Sequence, residues 1–134
     1  MSHFITTHNA EGKAVFSDRL APEQVKIPSP MGSMTILSTS HHAPCDPSTE
    51  KDIDHYDHDR TNGLPPGMIC PPNGYASSIL TFAPGATTPM HRTMTIDTVV
   101  CIEGVMLLQL DSGEERTMKA GDSMVQRATL VSVE

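Results

Sequence analysis

The sequence predicts an all-β protein, a sandwich or barrel built from short antiparallel strands. Short strand-like runs recur along the chain, and eleven prolines and nine glycines separate them. No long segment has the apolar period of an amphipathic helix, and only residues 21–25 are predicted to form a short one. Many short strands with turn residues between them are typical of a β-sandwich or β-barrel.

Six strands are predicted from β-branched and large apolar residues. They cover residues 33–38, 77–82, 98–102, 105–110, 115–118 and 123–126. Asp111, Ser112 and Gly113 suit a hairpin connection, because glycine accepts a positive φ. Ala120, Gly121 and Asp122 supply the next turn, so the last three strands are predicted to form an antiparallel meander.

The N-terminal half has a different composition. Residues 1–74 are predicted to be an extension that packs on a core of residues 75–134, within one structural domain. Residues 41–74 are rich in Asp, His and Pro, and they read as a long irregular loop. The acidic residues and prolines favour a solvated loop over a metal site. The side chains in this segment that are of metal-ligand type are His41, His42, Cys45, Asp54, His55, His58 and Asp59. His55 and His58 would share a face only if that segment were helical.

Charge and composition exclude several classes of protein. The net charge of −7, with Lys and Arg scattered singly, argues against nucleic-acid binding. No apolar run of about 18 residues is present, so no membrane span is predicted. The first residues lack the pattern of a secretory signal, which favours a cytoplasmic protein. Cys45, Cys70 and Cys101 are widely spaced, so free thiols are expected.

The most informative segment runs from Gly85 to Gly104. Five residues separate Gly85 from His91, and six separate Asp97 from Gly104. Because side chains alternate across a strand, the odd-numbered residues 91–101 are predicted to share one face, followed past the turn by Leu107 and Gln109. Imidazole and carboxylate suit Fe, Mn, Zn or Ni. The alternative is that His91 is only a hydrogen-bonded residue at the mouth of a barrel.

This spacing resembles the first conserved motif of the cupin superfamily: glycine, five residues, His-x-His, three or four residues, Glu, six residues, glycine. Thr93 stands at the second histidine, and Asp97 stands at the glutamate. Further stretches resemble a group of small fungal cupins: HNAEGKAVFSD, FAPGATTPMHRT, the IEG turn, LDSGEERTMKAGD and Val125-Gln126-Arg127. The resemblance implies a single cupin barrel, that is a double-stranded β-helix or jelly roll, with an irregular N-terminal half.

In that group the second cupin motif continues into a histidine and further strands. Here Val131 occupies the histidine position and the sequence stops at Glu134. The resemblance therefore predicts a barrel that is incomplete at its C-terminus.

The group resembles cupin-domain oxidoreductases of fungal polyketide biosynthesis, including salicylaldehyde-type pathways. This implies a small aromatic or polyketide substrate and, as in many cupins, a homodimer. His91 and Asp97 are the expected catalytic residues, and Thr93, Cys101 and Gln109 are the expected substrate-binding residues.

Two mechanisms stay open at this point. In one, His91 and Asp97 ligate Fe, Mn, Zn or Ni, although Thr93 and Val131 replace the usual histidines. In the other, no metal is needed: His91 is the general base or acid, and Asp97 orients it. The alternative functions are a metal-free cupin isomerase or decarboxylase, and a non-catalytic, truncated cupin.

Overall fold

A computed structural model describes the whole chain, Met1–Glu134. Eleven strands and one helix are present, so the all-β prediction is confirmed. The chain divides into two compact units, the N-terminal unit (Met1–Thr81) and the C-terminal unit (Phe82–Glu134). Neither contains a helix that is long and apolar enough to cross a membrane.

The N-terminal unit is built from two small antiparallel arrangements and the helix. Strands β1 (Thr6–His8) and β2 (Ala14–Phe16) form a two-stranded hairpin. Strands β3 (Ile27–Ser29), β4 (Gly32–Ser40) and β5 (Tyr75–Phe82) form a sheet with β4 in the centre. Strands β4 and β5 match the predicted strands at 33–38 and 77–82.

Helix α1 (Lys51–Asn62) lies inside the segment predicted to be an irregular loop, so that prediction is wrong for these residues. Its buried side chains, Ile53, Tyr56 and Asp59, recur every three residues and form one stripe. The stripe packs on β4, where the Tyr56 hydroxyl donates to the Ile36 carbonyl at 3.1 Å. Only two of the three buried residues are apolar, and this is why the helical period escaped detection.

The predicted helix at residues 21–25 is also wrong. Glu23 forms a β-bridge with Ser2, and the His3 amide donates to the Pro22 carbonyl at 2.7 Å. The segment therefore pairs with the start of the chain and does not form the backbone hydrogen bonds of a helix.

A polar network fixes α1 to β4. Asp59 is 3% exposed, and its carboxylate accepts hydrogen bonds from the Thr39 hydroxyl at 2.7 Å and from His41 Nε2 at 2.8 Å. His58 Nδ1 lies 3.3 Å from the other carboxylate oxygen, and the His55 ring stacks on His41. Burial by itself raises the pKa of Asp59, but the hydrogen bonds from His41, Thr39 and His58 outweigh it and hold that pKa below its ordinary value. These side chains are structural rather than parts of a solvated loop.

The C-terminal unit contains six strands that pair in a nested order. In sequence they are β6 (His91–Arg92), β7 (Ile96–Val100), β8 (Val105–Leu110), β9 (Glu115–Lys119), β10 (Ser123–Arg127) and β11 (Leu130–Val133). The first pairs with the last, β7 pairs with β10, and β8 pairs with β9, all antiparallel. Strand β11 also pairs with β8, which gives a four-stranded sheet beside a two-stranded one. An antiparallel ribbon folded in this way is the jelly-roll pattern.

The nested order corrects the predicted meander. Strands β8 and β9 do form the expected hairpin, but β10 leaves β9 and pairs with β7 in the other sheet. The two sheets meet in a core of Cys101, Leu108, Met118 and Val131, against which Met106, Met124 and Val133 pack. Each large apolar side chain buried in such a core contributes about 1.5–3 kcal/mol.

The predicted face is confirmed from Thr93 to Cys101: each odd-numbered residue in this range is less exposed than its even-numbered neighbours. It does not continue past the turn. Leu108 and Met106 pack against Cys101, so Leu107 and Gln109 lie on the other face of β8. The tight turn at Gly104, with φ +83, changes the parity.

Replacing Asp59 with Asn should lower the free energy of unfolding of the N-terminal unit by about 1–3 kcal/mol, because the histidines lose a charged acceptor. Asp54→Asn is the matched control on the same helix, where an exposed ion pair with Arg19 should be worth less than about 1 kcal/mol. Urea unfolding followed by helical circular dichroism measures both.

The same contribution has a defined pH dependence. Since the folded-state pKa of Asp59 is lowered, its stabilisation is present above the unfolded pKa and is lost as pH falls through the folded one. The difference between wild type and Asp59→Asn should thus be constant above about pH 4 and shrink below it. Equal stability of the two proteins at neutral pH would contradict the network.

Candidate functional site

His91 opens strand β6 and has an exposed side chain. Its Nδ1 lies 2.9 Å from the Pro89 carbonyl oxygen. Because a carbonyl can only accept, this contact places a proton on Nδ1, and the neutral ring then carries its lone pair on Nε2. The accessible nitrogen is therefore the one able to take a proton.

The segment before His91 is held by Thr88, which the sequence did not indicate. Thr88 is 9% exposed; its amide donates to the Val133 carbonyl at 2.8 Å, and its hydroxyl accepts from the Val133 amide at 2.9 Å. These two hydrogen bonds join the segment before β6 to the end of β11, beyond the paired residues of the two strands. They fix the backbone that leads through Pro89 to His91.

Asp97 lies on β7 with a half-buried side chain. Its carboxylate accepts a hydrogen bond from the Thr95 hydroxyl at 2.7 Å. Directly across the ladder is Gln126 on β10, and opposite residues of an antiparallel pair share a face. Gln126 is 9% exposed and donates from Nε2 to the Thr129 carbonyl at 3.2 Å. This places a carboxylate and an amide side by side.

The two expected catalytic residues are not joined directly. No hydrogen bond or ion pair links His91 with Asp97; each has its own local partner, Pro89 for the histidine and Thr95 for the carboxylate. Thr93 lies between them in sequence and is half-buried. Asp97 therefore does not orient the His91 ring; the Pro89 carbonyl does so.

The other expected substrate-binding residues lie in different surroundings. Cys101 is 2% exposed in the core, with its Sγ 3.6 Å from the Glu103 carbonyl oxygen. Gln109 donates from Nε2 to the Glu115 carboxylate at 2.9 Å. Gln109 also lines a polar cavity of about 220 Å³ together with Thr87, Thr88, Leu107, Ser132, Val133 and Glu134. The structure thus brings Gln109 near Thr88 but keeps Cys101 inside the core.

The donor set does not fit a transition metal. In the register of β6 and β11, Val131 stands directly opposite His91, and Val131 is buried in the apolar core. Thr93 offers only a neutral hydroxyl. No group of three or more His, Cys, Asp or Glu side chains in the protein is arranged to hold a metal ion.

The nested strands, with a histidine and a carboxylate on the first two of them, define the class of the C-terminal unit. It is a small jelly-roll barrel of the cupin type.

Known proteins narrow the class further, although no family model matches the chain. Cupin-domain-containing oxidoreductase fogC of Aspergillus ruber is 34% identical over 126 residues, covering 93% of this chain and 59% of the relative. Cupin-domain-containing oxidoreductase virC of Hypocrea virens is 35% identical, covering 93% and 62%. Oryzines biosynthesis cluster protein J of Aspergillus oryzae is 34% identical, covering 94% and 69%.

The chain belongs to this family of cupin-domain proteins of fungal biosynthesis clusters. It spans about three fifths of the length of fogC and virC.

Replacing Thr88 with Val, a side chain of nearly the same shape, should destabilise the C-terminal unit by about 1–3 kcal/mol, because the half-buried Val133 amide loses its hydrogen-bond acceptor. Thr87→Val, at an exposed neighbouring position, should change stability by less than about 0.5 kcal/mol. Denaturant unfolding compares them. Equal effects at both positions would show that Thr88 does not hold this segment.

Proposed function

We propose that the protein is a cupin-domain oxidoreductase that acts on a small aromatic or polyketide intermediate of fungal secondary metabolism, with a salicylaldehyde-type pathway as one source of such a substrate. Family membership supports the oxidoreductase activity, because two relatives that align with most of this chain are named as oxidoreductases. Other relatives are named for biosynthesis clusters. The substrate class rests on the sequence resemblance.

His91 carries the chemistry in this proposal. The Pro89 carbonyl fixes its tautomer, so Nε2 is the proton acceptor toward a bound substrate. Oxidation of an alcohol to a carbonyl removes a proton from the hydroxyl oxygen and a hydride from the carbon; His91 takes the proton, and a nicotinamide or flavin co-substrate takes the hydride. A positioned base typically accelerates such a step by about 10²–10⁴-fold.

Asp97, with Gln126 beside it, serves as the substrate-binding group. The carboxylate accepts hydrogen bonds, and the amide both donates and accepts, so together they suit the hydroxyl and carbonyl groups of a polyketide. Thr93 lies between His91 and Asp97 in the sequence, is half-buried and adds a hydroxyl. Gln109 lies on the opposite face of the sheet from His91 and lines a separate polar cavity there, so it does not join this group.

A second candidate is a metal-free isomerase or decarboxylase. It is favoured by one observation: the base of this site, His91, has a tautomer fixed by Pro89, and the donors around it do not make a metal site. Moving a proton within one substrate needs no electron acceptor, so His91 and a hydrogen-bonding carboxylate suffice.

The proposal includes a cytoplasmic location and a homodimer. Cys45, Cys70 and Cys101 are all free thiols, as is usual in a reducing compartment. The outer face of β7 and β10 exposes Ile96, Val100 and Val125, and a second copy of the chain would cover such an apolar face.

Mass spectrometry of products separates the candidates. We would incubate the protein, with and without a nicotinamide or flavin cofactor, with hydroxylated benzyl alcohols, benzaldehydes and benzoic acids. Gain or loss of two hydrogens identifies an oxidoreductase. A product of unchanged mass identifies an isomerase, and loss of carbon dioxide identifies a decarboxylase. No conversion of any compound would favour a non-catalytic chain.

His91→Asn should lower turnover of an accepted substrate by about 10²–10⁴-fold while leaving the melting temperature nearly unchanged, because the side chain is exposed. Arg92→Gln is the matched control, since Arg92 is the next residue and lies on the opposite face. Unchanged turnover in His91→Asn, or an equal loss in Arg92→Gln, would remove His91 from the mechanism.

A further inference from the structure

The residue that faces His91 is the most informative one for metal chemistry in this barrel. Val131 is its direct partner in the antiparallel ladder of β6 and β11. Opposite residues of such a pair have Cβ atoms about 4.5–5.5 Å apart and point to the same side. An imidazole at residue 131 would therefore stand where it could share a metal ion with His91.

Val131 has a different role instead. It is 3% exposed and packs with Cys101, Leu108 and Met118 in the core of the unit. A charged ion beside this cluster would have apolar neighbours on the β11 side, where desolvation is not compensated by ligands. The valine thus completes the core at the position where a ligand would be needed.

The remaining polar groups do not replace the missing ligand. Asp97 already accepts the Thr95 hydroxyl, and its cross-strand neighbour Gln126 donates its amide N–H to Thr129. Thr93 has a neutral hydroxyl, which is a poor ligand for metals that prefer imidazole. His91 and Asp97 alone would make a weak site.

We infer that this site operates without a resident transition metal, and that Val131 and Thr93 are the two positions that separate it from a metal-binding barrel. The inference goes beyond the proposed function, because it holds for an oxidoreductase and for an isomerase alike. Placing a histidine at either position should create a metal site, and this can be measured without a substrate.

Ni²⁺ and Zn²⁺ titrations of the full chain test this, with bound metal measured by mass spectrometry and stability by thermal unfolding. The variants are Val131→His, Thr93→His and, as the register control, Leu130→His, whose side chain lies on the opposite face of β11 and pairs with Arg92. Each is compared with the same variant carrying His91→Asn, because the other histidines of the chain can bind metal independently of His91.

The expected result is that Val131→His gains one equivalent of metal and a higher melting temperature on metal addition, both lost with His91→Asn. Wild type and Leu130→His should show no metal that depends on His91. If Val131→His does not fold, Thr93→His gives the same readout outside the core. Metal bound by wild type and released in His91→Asn would overturn the inference, as would folded histidine variants that gain no site.

Discussion

The register between β6 and β11 is the constraint on which the C-terminal unit depends. A slip of one residue would turn every side chain of a strand to the other face. Val131 and Val133 would then leave the core, and Leu130 and Ser132 would enter it. Since Val131 contacts the core and also opposes His91, the packing that stabilises the unit also determines what His91 can meet. Thr88 strengthens this register through its two bonds to Val133.

The chemistry of the site follows from that arrangement. With an apolar partner across the ladder, His91 has only the Pro89 carbonyl as a fixed contact, which leaves Nε2 free. Asp97 and Gln126 form a separate polar pair on the other sheet. The site therefore consists of a base on β6 in one sheet and a hydrogen-bonding pair on β7 and β10 in the other. Proton transfer to and from a hydroxylated substrate matches these groups better than metal ligation.

The sequence predicted what depends on local pattern. Strand β8 was placed correctly because its ends are marked by Gly104 and the Asp111–Gly113 turn, and the alternation from Thr93 to Cys101 followed from strand geometry. The sequence did not predict the features that depend on contacts between residues far apart in the chain. Helix α1 was missed because its stripe includes Asp59, a residue with low helix propensity that is held in place by Thr39 and His41. The pairing of β10 with β7 also joins segments far apart in sequence.

The most direct test of the central claim, that His91 and Val131 are paired, is nuclear magnetic resonance of the isotopically labelled chain. We expect a cross-strand nuclear Overhauser effect between backbone protons of His91 and Val131, with Arg92 paired in the same way with Leu130. Pairing of His91 with Leu130 or Ser132 instead would place the opposite face of β11 toward His91. That result would contradict both the core assignment of Val131 and the metal-free site built on it.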